Sequence, residues 1–229
     1  MNPSVSADKP VLAVLGGTGK EGKGLAYRWA KAGYTVYLGS RTPAKARRTA
    51  AEIRARLGNP QAPVFGLGNL EAATRAEIVV LTVPYSAHRA TLEAVRSALQ
   101  GKILIDVTVP LKPPKVTKAW FPPAGSAALE AQALLGDQVA VVDAFQNIAH
   151  AHLWEDGPID CDVLVTGKGK ANRQRVVQLA RDAGLRAWDA GPIENSAVVE
   201  GLTSLLLYLN KTYGSAGAGI RITGVPYPP

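Results

Sequence analysis

The six residues Gly17-Thr18-Gly19-Lys20-Glu21-Gly22 space three glycines as G-x-G-x-x-G. They follow the branched run "PVLAVL" and open the stretch "GKGLAYRWAKAG", so the glycines fall between a strand and a helix. That position has a chemistry. Glycine permits a tight turn and close approach of a pyrophosphate, and the helix start offers free amides and the positive end of its dipole. In an NAD site an acidic residue about 20 positions further on accepts hydrogen bonds from the ribose hydroxyls. Here "VYLGSRTPAKARR" supplies Ser40 and Arg41, with Lys45 one helical turn later. A hydroxyl, a guanidinium fork and an ammonium group form a clamp for a phosphate dianion. Between Asp8 and Glu52 the only acid is Glu21. The pattern therefore predicts NADP rather than NAD.

Further candidates lie where later strands end. Thr82, Val83 and Pro84 close the fourth, Val107 to Pro110 the fifth and Phe145 to Ile148 the sixth. Ligands of open α/β sheets bind outside the carboxyl ends of the strands, which makes these segments candidate walls for a nicotinamide. No Ser-His-Asp, Cys-His or paired-carboxylate arrangement stands out. Hydride transfer needs none, because it requires a donor and an acceptor carbon stacked at reacting distance with water excluded. No residue is given a covalent or acid–base role. The single cysteine, Cys161, excludes an intramolecular disulfide and is expected in the core. With only His88, His150 and His152 beside it, no metal centre is expected, and His88 is expected on a helix surface.

The elements that position these residues follow from alternation. "YTVYLGS" reads as a second strand, and "TPAKARRTAAEIRARLG" as a helix with Thr42 as N-cap, Pro43 at its first position and Gly58 beyond its end. The pattern continues through "APVFGLG", "NLEAATRA", "EIVVLTVP", "AHRATLEAVRSALQG", "KILIDVTVP", "SAALEAQALLG" and "DQVAVVDAF". Strands separated by amphipathic helices imply a parallel sheet with right-handed crossovers. Five prolines between Pro110 and Pro123 interrupt it as a surface loop, either a connector or a cover over a ligand. Beyond Trp154–Asp160 come "CDVLVTG", "KANRQRVVQLARDAG", "LRAWDAG", the long helix "NSAVVEGLTSLLLYLNKTYG" and "AGIRITGV", read as a terminal strand. The fold class is α/β: a Rossmann-like doubly wound parallel sheet over residues 1–155, with a smaller C-terminal α/β domain over 156–229 completing a cleft.

Composition narrows the partners. Of the 229 residues, 47% are hydrophobic and 19% charged, which is ordinary for a globular protein rather than a disordered one. A net charge of +8 favours anionic partners. The basic residues are scattered through helices, so small anionic cofactors are expected and nucleic acid is not. "AVVEGLTSLLLYLN" is shorter than the roughly 20 residues of a bilayer span and carries Glu200, so it reads as a buried helix and no membrane partner is expected. The opening "MNPSVSADKP" has no apolar core behind a basic segment, and a cytoplasmic location is expected.

A family resemblance rests on these same residues. "LGGTGKEGKGLAYRWAKAGYTVYLGSR" with Lys45 after it, "VLTVP", "DAGPIENSAVVEGLTSLLLYLN" and "GIRITG" occur in the order found in the NADPH-dependent reductases of coenzyme F420, an 8-hydroxy-5-deazaflavin. The resemblance implies Thr18, Gly19, Lys20 and Glu21 on the pyrophosphate, Ser40, Arg41 and Lys45 on the 2'-phosphate, and Val83 near the nicotinamide. It implies the deazaflavin as co-substrate across the cleft, against Gln146, Asn147 and Ile148, and a homodimer. Where some family members carry a His-x-Ile-Pro or His-x-Val-Pro stretch, this chain has Gln146-Asn147-Ile148-Ala149, in which Gln146 is expected to hydrogen-bond a ring carbonyl. Reduction of a flavin, a metal complex or an imine, or NADPH binding without turnover as a sensor, are the alternative readings.

Overall fold

A computed structural model describes residues 9–227; the segment read for a leader lies almost wholly in residues 1–8, outside the described residues. The strands are β1 (Leu12–Leu15), β2 (Val36–Ser40), β3 (Val64–Gly68), β4 (Ile78–Leu81), β5 (Ile103–Asp106), β6 (Ala140–Asp143), β7 (Asp162–Gly167) and β8 (Arg186–Asp189). They form one sheet in the order β3-β2-β1-β4-β5-β6-β7-β8. From β3 to β6 every pairing is parallel, because helices α1 (Lys20–Lys31), α2 (Pro43–Arg56), α3 (Asn69–Arg75), α4 (Tyr85–Val95) and α5 (Ala127–Leu135) carry the chain back each time. Between β6 and β7 stands only α6 (His150–Trp154), and β7 runs antiparallel to β6. Parallel pairing resumes across α7 (Lys170–Asp182) to β8, and α8 (Ser196–Tyr213) follows. β1 sits beside both β2 and β4, so the chain reverses direction across the sheet at β1, leaving a crevice at the carboxyl ends of β1 and β4.

The strands are apolar on both faces, as a doubly covered sheet demands. Leu12, Val14, Ile78 and Val80 point into one core with α1, α2 and α7; Ala13, Leu15, Val79 and Leu81 point into the other with α3, α4 and α5. Helix ends match their sequence signals. Thr42 precedes Pro43 at the start of α2, and Gly33 and Gly58 take left-handed φ just past α1 and α2. Cys161 is buried as expected. The stretch "AGIRITGV" does not form the expected strand. It lies along β7 with one backbone bond, Asp162 N to Ile220 O at 2.7 Å, and its Ile222 amide goes to the Asp162 carboxylate at 2.9 Å instead of continuing a ladder.

Polar anchors bind α1 to the C-terminal part. The buried guanidinium of Arg28 donates to the carbonyls of His152, Leu153, Glu155, Gly157 and Ala183, spanning 2.8–3.2 Å. Trp29 Nε1 donates to Leu179 O at 2.9 Å. Five carbonyls around one planar donor set fix the position of the helix whose first turn opens the glycine loop.

Candidate active site

The glycine turn is shaped by contact. Gly16 has φ +75, and a Cβ there would lie 2.9 Å from both Thr82 O and Val83 Cγ1. A Cβ on Gly22 would meet Thr82 Oγ1 at 2.4 Å and Gly17 Cα at 2.8 Å. The turn therefore presses on Thr82, whose hydroxyl also donates to Leu15 O at 2.9 Å, locking the ends of β1 and β4 together. Gly19 is the N-cap of α1 and brings no capping side chain, so the first-turn amides of Lys20, Glu21 and Gly22 have no intrahelical acceptor. Thr82, Val83 and Pro84 lead from β4 into α4 and form one wall beside this turn.

The basic edge lies at the end of β2. Ser40 is its last residue, nearly buried, with Oγ accepting from Thr42 N at 3.1 Å. Arg41 and Lys45 are exposed beside it at the start of α2, which carries no acidic residue in its first turn. Neither forms an ion pair with a carboxylate among the described residues. Two uncompensated cations, a hydroxyl and an uncapped helix start fit a phosphate monoester.

Across the crevice, Gln146, Asn147 and Ile148 follow β6 and line a cavity of about 290 Å³ with Glu21, Val107, Val109, Phe145, Thr203 and Asn210. The structure thus brings the glycine-loop residue Glu21 and the three ring-side candidates to one wall. Phe145 adopts φ +76, a costly conformation for a non-glycine residue, held by full burial against Trp29 with ring centroids 5.7 Å apart. Gln146 differs from its expected role. Its Nε2 donates to Asp106 O at 2.9 Å and to Asp143 Oδ1, so its Oε1 is the free atom and the side chain offers an acceptor, not a donor to a ring carbonyl.

Beneath the cavity lies a buried polar network that sequence reasoning missed. Asp106 and Asp143 are register partners at the ends of β5 and β6, and Glu200 of α8 lies near them; all three are at most 1% exposed. Paired carboxylates are therefore present. His88 is not on the surface: it is 2% exposed, with Nε2 2.6 Å from Asp106 Oδ2. Burial works to lower the His88 pKa, but the charge of Asp106 and its hydrogen bond outweigh this and raise it. Burial, then the charges of Glu200 and Asp106, push Asp143 well above the carboxylate range, against hydrogen bonds from Ser196 and Thr166. Burial pushes Glu200 up to about 8 although its oxygens accept from Ala127 N at 2.8 Å and Ala128 N at 3.0 Å, capping α5. The one available signal was that "KILID" and "AVVD" both end an apolar strand on Asp.

A parallel sheet reversing at β1, a glycine turn on the first helix and a basic edge on the second strand define a Rossmann-type nucleotide-dependent oxidoreductase. A family model described as "NADP oxidoreductase coenzyme F420-dependent" matches residues 11–110. The chain is 40% identical over 221 residues to the F420-dependent NADP reductase of Methanocaldococcus jannaschii, covering 93% of this chain and 98% of that one. It is 41% identical to the reductase of the same name from Methanothermobacter marburgensis, covering 94% and 99%. A solved structure of a putative F420-dependent NADP reductase from an Arthrobacter species superposes with a TM-score of 0.79 at 26% identity, over 94% of this chain and 100% of that one. The chain belongs to the F420-dependent NADP reductase family.

Proposed function

We propose that the protein transfers hydride between NADP(H) and the deazaflavin coenzyme F420, the two rings stacked in the crevice between the β4 end and the segment after β6. The observation that carries this reading is the pairing of an uncompensated Ser40, Arg41 and Lys45 edge with a cavity walled by both Glu21 and Gln146. When bound, the two cofactors supply the hydride chemistry themselves. The chain's residues hold and orient them. The free first-turn amides of Lys20, Glu21 and Gly22, with Thr18 and Gly19 lining the turn, take the pyrophosphate, Ser40, Arg41 and Lys45 the 2'-phosphate, and Thr82, Val83 and Pro84 back the nicotinamide. Gln146, Asn147 and Ile148 face the deazaflavin, and residues 156–229 complete the cleft through α8. Water exclusion comes from apolar walls such as Val107, Val109 and Phe145. Val198, Leu205, Tyr208 and Tyr213 on α8 are exposed, which favours a homodimer through this helix. No helix among the described residues is long and apolar enough to cross a membrane.

The test is direct. Mixing NADPH with oxidised deazaflavin and the purified chain should bleach the deazaflavin absorbance, and deuteride from stereospecifically labelled NADPH should appear on the deazaflavin. NADPH binding without bleaching would turn the reading toward another acceptor or a sensor.

A further inference from the structure

The polar atoms of the cavity are unevenly spent. Asn147 Nδ2 donates to Val199 O at 3.1 Å and Thr203 Oγ1 at 3.3 Å, and Thr203 Oγ1 donates to Gln146 O at 3.0 Å. With Gln146 Nε2 also committed, the donors of these wall residues are used inside the protein. Of the buried acceptor oxygens without a hydrogen-bond partner among the described residues, three stand here: Glu21 Oε1, Gln146 Oε1 and Asn147 Oδ1. All three belong to residues lining the same cavity. Buried unsatisfied acceptors are costly, and their convergence calls for an occupant that donates.

Two of the three cannot change role. Asp106 O accepts only, so it holds the Gln146 amide nitrogen inward, and Val199 O does the same for Asn147. Glu21 can, because a protonated carboxyl donates through one oxygen and accepts through the other. Its surroundings favour that form. The other titratable residue of the cavity wall is His150; Val107 and Val109 from the end of β5, and Thr203, Leu206, Leu207 and Asn210 from α8, carry no charge. On α1 itself Lys20 is exposed, and Lys23 is engaged by Glu52 at 3.5 Å and by the Trp154 ring. Burial alone pushes Glu21 up to about 8. A pyrophosphate at the adjacent amides would oppose a carboxylate there still further.

We propose that Glu21 is a positioning and specificity-determining residue: its side chain joins Gln146 and Asn147 in reading a ring edge that alternates carbonyl and N–H groups. This rests on the deazaflavin reading, whose pyrimidinedione ring has such an edge. In its protonated form Glu21 donates a hydrogen bond to a ring carbonyl, while an amide oxygen of the wall accepts one from the ring N–H. Because the same residue's backbone amide belongs to the pyrophosphate turn, one position serves both cofactors.

Glu21→Leu and Glu21→Gln test this. Glu21 is half-buried, and leucine removes a carboxyl whose buried Oε1 has no hydrogen-bond partner, so the variant is expected to fold at least as stably as the wild type. Without ligands, wild-type thermal stability should fall as pH rises from about 4.5 to about 8, since the folded-state pKa lies above the unfolded value, and both variants should lose less over that window, the remaining loss belonging to Glu200 and Asp143. In fluorescence titrations at pH 7, Glu21→Leu should keep NADP affinity within about twofold but weaken deazaflavin by about tenfold, the worth of one buried hydrogen bond. Glu21→Gln, which keeps a donor and an acceptor, should bind deazaflavin at pH 9 better than the wild type does. Unchanged deazaflavin binding by Glu21→Leu, or an equal loss of stability between pH 4.5 and 8 in all three proteins, overturns the role of Glu21 alone. A wild type that binds NADP but no deazaflavin overturns the functional reading as well.

Discussion

Removing His88 should unfold the protein's polar foundation before it touches any cofactor contact. In the wild type its Nε2 stands 2.6 Å from Asp106 Oδ2, with side-chain exposures of 3% and 0%. Bare attraction between unit charges at that separation is about 6 kcal/mol for an effective dielectric near 20, and desolvation cancels much of it. Breaking such a pair from one side costs about 3–5 kcal/mol, because the surviving charge stays buried. Thr108 N still donates to Asp106 Oδ1 at 3.0 Å, so His88→Leu should fall at the lower end, about 3 kcal/mol. For a chain of this size that is a drop of roughly 6–12 °C in Tm. The assay is equilibrium urea unfolding at pH 6 and pH 9. The folded-state His88 pKa is raised, so the ionic part of its contribution is fully present below the unfolded value near 6.5 and is lost as pH rises through the folded value. The gap between wild type and variant should therefore be wider at pH 6. Adding Asp106→Asn should recover most of the loss by removing the stranded charge. A single-variant cost under about 1 kcal/mol, or no recovery in the double variant, would refute the ionic pairing.

Other substitutions probe separate parts of the site. Arg41→Ala should weaken NADPH binding by about 1.5–3 kcal/mol and leave NADH nearly unchanged; equal losses in calorimetric titrations would remove the phosphate clamp. Gly22→Ala should abolish tight NADPH binding and cost about 1–3 kcal/mol of stability, because its Cβ would stand 2.4 Å from Thr82 Oγ1; normal binding would mean that the turn relaxes freely. Asp143→Asn should cost under about 1.5 kcal/mol, since burial and the neighbouring charges of Glu200 and Asp106 already disfavour a carboxylate there, and should reduce the loss of stability as pH rises; a larger cost would mean that the charged form is held at that position.

Much of the fold was legible because it is local. The apolar runs ending at Leu15 and Leu81 announce strands covered on both faces, and Pro43 and Gly58 punctuate α2 where the structure begins and ends it. The glycine turn and the Ser40–Lys45 edge were legible because the nucleotide motif is also local, spanning one strand–helix–strand unit. What escaped was long-range. His88 is amphipathic by residue type, and nothing within α4 tells that Asp106, 18 positions away, comes to meet it. The Asp106–Asp143 pairing depends on strand register, and Glu200 reaches the N-terminus of α5 from 72 or 73 positions away. The "AGIRITGV" stretch has strand composition, but Asp162 takes its amide with a side chain, a choice that composition does not record.

These long-range contacts explain why the two ends of the site are built so differently. On the proposed reading the adenosine end must grip a phosphate dianion that arrives hydrated, and exposed cations at a helix start would do this without stored strain. The ring end must exclude water, and there every charge is a liability unless paired or neutralised. The protein meets that constraint by pairing Asp106 with His88, surrounding Asp143 with burial and like charge that disfavour its ionised form, and turning Glu200 into a helix cap. These buried groups then fix the one orientation of Gln146 that leaves an acceptor toward the cavity. A mutation deep in the network should therefore act on the deazaflavin side more than on NADP, since Gln146 is anchored to Asp106 and Asp143 while Arg41 lies in the turn after β2 and Lys45 in α2. Parallel titrations of both ligands against Asp143→Leu would show it: equal weakening of the two would mean that the network holds up the whole fold rather than the ring-binding end.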